Sequence, residues 1–163
     1  MSSRFVASLP VERMAWRDGI TGAKARPGLQ CDYHEGTWKK LPDFAALQAK
    51  RSETRGSVAI PPYARPEHFG LRFRGYLKIP ADGVYTLHLW SDDGSALYLG
   101  EEKVIDLDGL HGNGEIPRQL ALRAGYHPIR VEYFQAGGDE ALDLTIEGPG
   151  LALQSVPAEM LGH

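Results

Sequence analysis

Phe69-Gly70-Leu71-Arg72-Phe73-Arg74-Gly75-Tyr76-Leu77-Lys78-Ile79 holds a period of two from end to end. Phe69, Leu71, Phe73, Leu77 and Ile79 fall on one side, with Gly75 filling the gap, while Arg72, Arg74, Tyr76 and Lys78 fall on the other. Successive side chains of a strand point to opposite faces, so this pattern predicts an antiparallel strand with one buried and one wet face. Pro80-Ala81-Asp82-Gly83 follows as a turn, read as an Asx turn on Asp82 with Gly83 at positive φ. Tyr85, Leu87 and Leu89 then alternate into Trp90-Ser91-Asp92-Asp93-Gly94-Ser95, and Leu97 and Leu99 continue beyond it. Gly100-Glu101-Glu102-Lys103 reads as a hairpin turn before Val104-Ile105.

The same order recurs downstream. Leu120 and Leu122, the turn Arg123-Ala124-Gly125, and Ile129, Val131 and Tyr133 lead to a second loop, Gln135 to Glu140. Leu142, Leu144 and Ile146 form the strand after it. Upstream, Leu29, Cys31 and Tyr33 alternate, and Asp43 is placed to cap a short helix through Leu47. Residues 48–66, with Pro61-Pro62 and Pro66, read as a long irregular loop. About eight strands with almost no helix predict an all-β fold, an antiparallel β-sandwich. Residues 1–27 show no sustained period and read as an N-terminal arm or linker, which leaves 28–163 as the sandwich domain.

The chain of 163 residues is 42% hydrophobic, enough for one domain with its own core. A formal net charge of −3 gives no electrostatic reason to expect nucleic acid or an anionic membrane as partner. No apolar run approaches the roughly 18 residues a membrane span needs, so membrane insertion is not expected. Cys31 is the single cysteine, which rules out an intrachain disulfide framework. Arg4 precedes only Phe5-Val6-Ala7-Ser8-Leu9 before Pro10, a poor signal peptide.

The candidate chemistry lies at Asp92-Asp93. Calcium takes six to eight oxygen ligands and favours carboxylates. Adjacent residues of an extended trans chain point apart, so a cis bond between the two would be needed for both to reach one ion. The other reading is a tight turn whose aspartates cap backbone N–H groups. Asp106-Leu107-Asp108-Gly109 fails as an EF-hand loop, because His111 and Pro117 stand where Gly and Glu are required. His111 has no second histidine at zinc-ligand spacing, and Cys31 with His34 reads as core rather than as nucleophile and base. Trp90, beside the acidic loop, is placed either to stack on a sugar ring or to pack inward.

Several of these segments together resemble one family. Phe73 to Leu87, with its Ile79-Pro80-Ala81-Asp82-Gly83-Val84-Tyr85 turn, is similar to the central hairpin of the protective-antigen-fourteen domain. Ser91-Asp92-Asp93-Gly94-Ser95-Ala96-Leu97-Tyr98-Leu99 resembles its signature loop, and Asp108-Gly109-Leu110-His111-Gly112 a second motif. Leu122 to Gln135 resembles its penultimate hairpin, and Gly28 to Leu47 and Val156 to Leu161 fit its two ends.

The resemblance implies a lectin-like β-sandwich that binds glycans without catalysis, an accessory module of the kind appended to bacterial carbohydrate-active enzymes or adhesins. It implies an extracellular or cell-envelope setting and covalent linkage to such domains. In lectin-type members the paired aspartates hold calcium through a cis peptide, and the calcium binds sugar hydroxyls. Carried over, Asp92 and Asp93 become calcium ligands, and the second loop completes the site. Fungal members place an asparagine there; this chain has none, and Gln135 stands as the substitute metal ligand. The implied glycan or polysaccharide then meets Trp90, Asp92, Asp93, Gln135, Gly137, Gly138 and Asp139. The alternative is a structural or protein-interaction sandwich with neither metal nor sugar. A glycoside hydrolase needs two carboxyls facing across a cleft, which neighbours in sequence do not supply.

Overall fold

The computed structural model describes residues 14–163. Twelve strands follow in chain order: β1 (Trp16–Arg17), β2 (Leu29–Glu35), β3 (Arg51–Arg55), β4 (Phe69–Ile79), β5 (Gly83–Asp92), β6 (Ser95–Leu99), β7 (Glu102–Leu107), β8 (Gly114–Leu122), β9 (Gly125–Gln135), β10 (Ala141–Gly148), β11 (Leu151–Ser155) and β12 (Leu161–Gly162). They form two sheets. One runs β1-β8-β5-β10-β11; the other runs β3-β2-β4-β9-β6-β7, with β12 added on β4. Apart from the parallel pairing of β1 with β8, the strand pairings are antiparallel. The architecture is the predicted antiparallel β-sandwich.

The alternation seen in the sequence is the physical basis of the two layers. Phe69, Leu71, Phe73, Leu77 and Ile79 of β4 are all buried, as are Leu97, Val131 and Tyr133 of neighbouring strands. They face Tyr85, Leu87 and Leu89 of β5, Leu120 and Leu122 of β8, and Leu144 and Ile146 of β10 in one continuous core. Cys31 lies inside this core, where burial pushes its thiol up to about 12, so it packs as an inert small side chain. Among the described residues no helix is long and apolar enough to cross a membrane.

The structure corrects the sequence reading in three places. Residues 48–66 are not irregular throughout, because they contain β3, whose Arg-Ser-Glu-Thr-Arg run shows no apolar alternation. It is an edge strand, and charged side chains there suit an edge that must not recruit another chain. The turn at 80–83 is built differently: the Asp82 carboxylate accepts the Ala124 N–H at 2.7 Å, tying two hairpin turns together. Gly83 has no positive φ; it is needed because a Cβ would lie 2.5 Å from the Pro149 ring. At 43–47 the helix is a single 3-10 turn, Phe44–Ala46, capped by Asp43 as expected.

The expected arm divides in two. Residues 1–13 lie outside the described residues, whereas 14–27 run along the domain. There Ile20 exchanges backbone hydrogen bonds with Tyr126, and Arg26 with His163.

Leu87 is fully buried between the sheets. Its replacement by alanine is expected to cost about 2–5 kcal/mol, read as a lower midpoint in urea unfolding with an unchanged slope.

Candidate functional site

Thr86, His88, Trp90 and Asp92 alternate onto the outer side of β5, opposite the buried Tyr85, Leu87, Leu89 and Ser91. Trp90 stands beside Asp143 of β10 and Glu115 of β8, and Asp92 beside Ala141. Trp90 is 45% exposed, so it does not pack against the opposite sheet. Its indole N–H donates to Asn113 Oδ1 at 3.2 Å, which orients the ring at the sheet's end.

β5 ends in Asp92, and the Asp92–Asp93 peptide is cis. Gly94 follows where no side chain fits: a Cβ would lie 2.4 Å from the Phe134 ring and 2.9 Å from Asp108 Oδ1. The turn is held by Ser91 Oγ donating to the Asp93 carbonyl at 2.7 Å and by Phe134 N–H donating to the Gly94 carbonyl at 2.9 Å. Tyr133 donates its hydroxyl to the Asp92 carbonyl at 2.6 Å.

The two carboxylates have different surroundings. Asp93, 6% exposed, accepts the Ala136 N–H at 2.9 Å on Oδ2 and the His111 N–H at 3.4 Å on Oδ1. It therefore joins the acidic turn to both neighbouring loops. Asp92 is equally covered at 7%, yet none of the hydrogen bonds among the described residues reaches its carboxylate. Burial pushes its pKa above the ordinary value and the Asp93 charge adds to this; His111 opposes them, and Asp139 adds a lesser upward push.

Gln135 is fully buried. Its amide N–H groups donate to the carbonyls of Gly138 at 3.1 Å and Asp139 at 3.2 Å, with a longer contact of 3.4 Å to Pro66. Three acceptors around one nitrogen decide which end of the amide is which. Its oxygen faces the Tyr133 hydroxyl at 3.4 Å. Gln135 thus braces the second loop and also fastens it to the loop before β4. His68 sits in that loop at φ 62, with its carbonyl gripped by Arg65 Nε at 3.1 Å.

Between these elements lies an open depression of about 600 Å³. Trp90 and Asn113 form one wall, Gly138, Asp139, Glu140 and Ala141 a second, and Ala64 and Pro66 a third. Of the residues singled out in the sequence, Trp90, Gly138 and Asp139 line it. Asp92, Asp93, Gln135 and Gly137 do not line it, although Asp92 pairs with Ala141 of the second wall and a Cβ on Gly137 would lie 3.1 Å from Glu67. The sequence reading missed Asn113, Pro66 and Ala64. A polar residue between Gly112 and Gly114 was a usable signal for Asn113, whereas nothing local marks Pro66.

Nearby, Asp108 Oδ1 accepts the N–H groups of Leu41 and Gly109 at 2.8 and 2.7 Å, and Asp106 Oδ1 accepts that of Asp108 at 3.1 Å. These acids are turn caps. The His111 ring is held against the carbonyls of Leu107 and Gly112. Among the described residues no group of three or more His, Cys, Asp and Glu side chains is arranged to hold a metal ion.

The family model of the PA14 domain matches residues 25–154. The chain belongs to the PA14 domain family. Solved structures agree with this fold. A PA14 sugar-binding domain from an RTX adhesin superposes with a TM-score of 0.71 at 16% identity, over 85% of this chain and 99% of that one. The epithelial adhesin 6 A domain of Candida glabrata, solved with Galb1-3GlcNAc, gives 0.64 at 14%, over 87% and 89%. An anti-sigma factor domain-containing protein from Clostridium clariflavum gives 0.69 at 20%, over 88% of this chain and 50% of that one. This PA14 chain therefore spans about half the length of that protein. No curated protein sequence matches it.

A carboxyl whose pKa is raised on folding stabilises the protein below its unfolded value and loses that contribution as pH rises through the folded value. In EDTA, Asp92→Asn should therefore melt higher than wild type at pH 7, with the gap closing as pH falls towards 3.8. A lower melting point for the variant at pH 7 would mean that the ionised carboxylate is already satisfied within the protein.

Proposed function

We propose that this PA14 domain is a non-catalytic carbohydrate-binding module whose ligand sits in the depression beside Trp90, over a calcium ion held at Asp92. One observation carries the reading: the Asp92 carboxylate is largely covered and accepts no hydrogen bond among the described residues, and Asp92 pairs with Ala141 in the wall of a depression completed by an indole, an amide and loop backbone. A buried ionised carboxylate left alone is unfavourable, and a cation answers it. The donor set is all oxygen, which suits a hard ion such as calcium.

The Asp92 carboxylate is the principal ligand in this proposal. Asp93 has lone pairs to spare beyond the two N–H groups it accepts, and the second loop would add the backbone carbonyls of Gly138 and Asp139, which accept from Gln135. Gln135, offered as a ligand by the family resemblance, serves here by holding those carbonyls in place. When bound, the ion supplies coordination sites for sugar hydroxyls. Trp90 supplies a ring face for stacking, and Asn113, Gly138 and Asp139 shape the rim.

Support for a sugar ligand also comes from the matched adhesin domains, one described as sugar-binding and one solved with a disaccharide. The same kinship favours an extracellular or cell-envelope setting and attachment to a larger protein, as the half-length match also does. The second reading, a structural sandwich, rests on Asp93, whose carboxylate caps backbone N–H groups of both neighbouring loops.

Calcium at a hundredfold excess over its Kd should stabilise the wild type by about 2.7 kcal/mol and leave Asp92→Ala unmoved in the same melting experiment. On a glycan array, binding should require calcium and vanish in EDTA. Trp90→Ala should weaken it at least tenfold, about 1.4 kcal/mol. An array blank in both buffers, with no calcium shift, would leave the structural reading standing.

A further inference from the structure

The outer face of the other sheet carries a second set of residues that the depression does not use. Along β4, Arg72, Arg74, Tyr76 and Lys78 alternate outward; along β9, Pro128, Arg130 and Glu132 do. The register sets Arg74 directly against Arg130 and Tyr76 against Pro128, with Tyr98 of β6 on the far side of Arg130. Like charges directly opposite each other across a strand pair are destabilising. Among the described residues two carboxylates, Asp32 of β2 and Glu132 of β9, answer these guanidinium groups. Asp32 is shared by Arg72 at 3.3 Å and Arg74 at 3.0 Å, and Glu132 meets Arg130 at 3.0 Å. The face keeps excess positive charge on a chain whose formal net charge is −3. The outer face of the five-stranded sheet is the reverse: there Glu115 and Glu147 flank His88, and Asp143 pairs with Trp90.

Arg74, Tyr76, Gly100, Pro128 and Arg130 line a groove of about 280 Å³ on the basic face. The Arg130 guanidinium lies 3.9 Å over the Tyr98 ring, which fixes its plane before anything binds. Arg74, with its side chain 49% exposed, is the opposite wall. A guanidinium is a planar fork that matches a carboxylate with two parallel hydrogen bonds. Tyr76 and Pro128 offer flat, uncharged surface between the two forks.

We propose that this groove is a second carbohydrate subsite, which takes the carboxylate of a uronic acid within an anionic polysaccharide. The proposal rests on the reading of the domain as a glycan-binding module, but it uses a different sheet and needs no metal. The probe is a hexamer of galacturonic acid, titrated calorimetrically in EDTA against its fully methyl-esterified form. Wild type should bind the acid at least tenfold more tightly than the ester. Arg74→Gln should lose at least tenfold. Pro128→Glu, which puts a carboxylate in the groove without removing any side-chain hydrogen bond, should lose as much while melting like wild type. Asp92→Ala should bind the hexamer normally.

Equal binding of acid and ester would overturn the proposal, as would wild-type affinity in both groove variants or loss in Asp92→Ala. Absence of binding by wild type, or a sulfated hexasaccharide binding tenfold more tightly than the uronate, would overturn it as well. Calcium-dependent array binding that survives such a failure would show that the subsite alone has fallen.

Discussion

The carboxylate of Asp93 is the knot of the molecule's working end. It accepts one backbone N–H from the loop at His111 and one from the loop at Ala136, so three separate connections meet on a single side chain. The arrangement depends on how the chain reaches it. Gly94 is small enough to let Phe134 and Asp108 close in, and the Tyr133 hydroxyl pins the preceding carbonyl. Buried charge-assisted hydrogen bonds of this kind are stronger than neutral ones and are severe when half made. The sandwich supplies the rigid ends; Asp93 turns them into a defined surface.

Two neighbouring residues of one type have opposite surroundings here. Asp93 is satisfied by the protein. Asp92, whose side chain belongs to the outer face of β5, is covered just as well, but its carboxylate accepts no hydrogen bond among the described residues. Environment rather than residue type separates their roles, as it does wherever paired carboxylates are assigned different tasks. The sequence reading offered a turn or a metal site for the pair. The structure places turn chemistry on Asp93 and leaves the Asp92 carboxylate without a hydrogen bond among the described residues, its burial only partly offset by His111.

Much of this was legible in the chain. Period two in β4, β5, β9 and β10 follows from burial of one face, and burial is written in residue type. For Trp90 the chain alone allows stacking or inward packing, and its 45% exposure decides for the outer face. What escaped notice has two physical causes. β3 and β11 are edge strands, half or wholly exposed, so their sequences carry no burial signal. Pro66 joins the site only through a contact with Gln135, 69 residues away, and no local pattern encodes a contact of that range. Gln135 itself was found by its position in the second loop, but the direction of its amide depends on three carbonyls folded around it.

That amide has a further consequence. By donating to carbonyls on both sides of the depression, Gln135 gives two loops one shared coordinate in place of two independent ones. The segment at Pro66 is tied to Gly138 and Asp139 through one side chain, so the spacing of the two walls is set together. Ordering that would otherwise be paid when a ligand arrives has already been met during folding. The buried glutamine is a yoke across the walls of the depression.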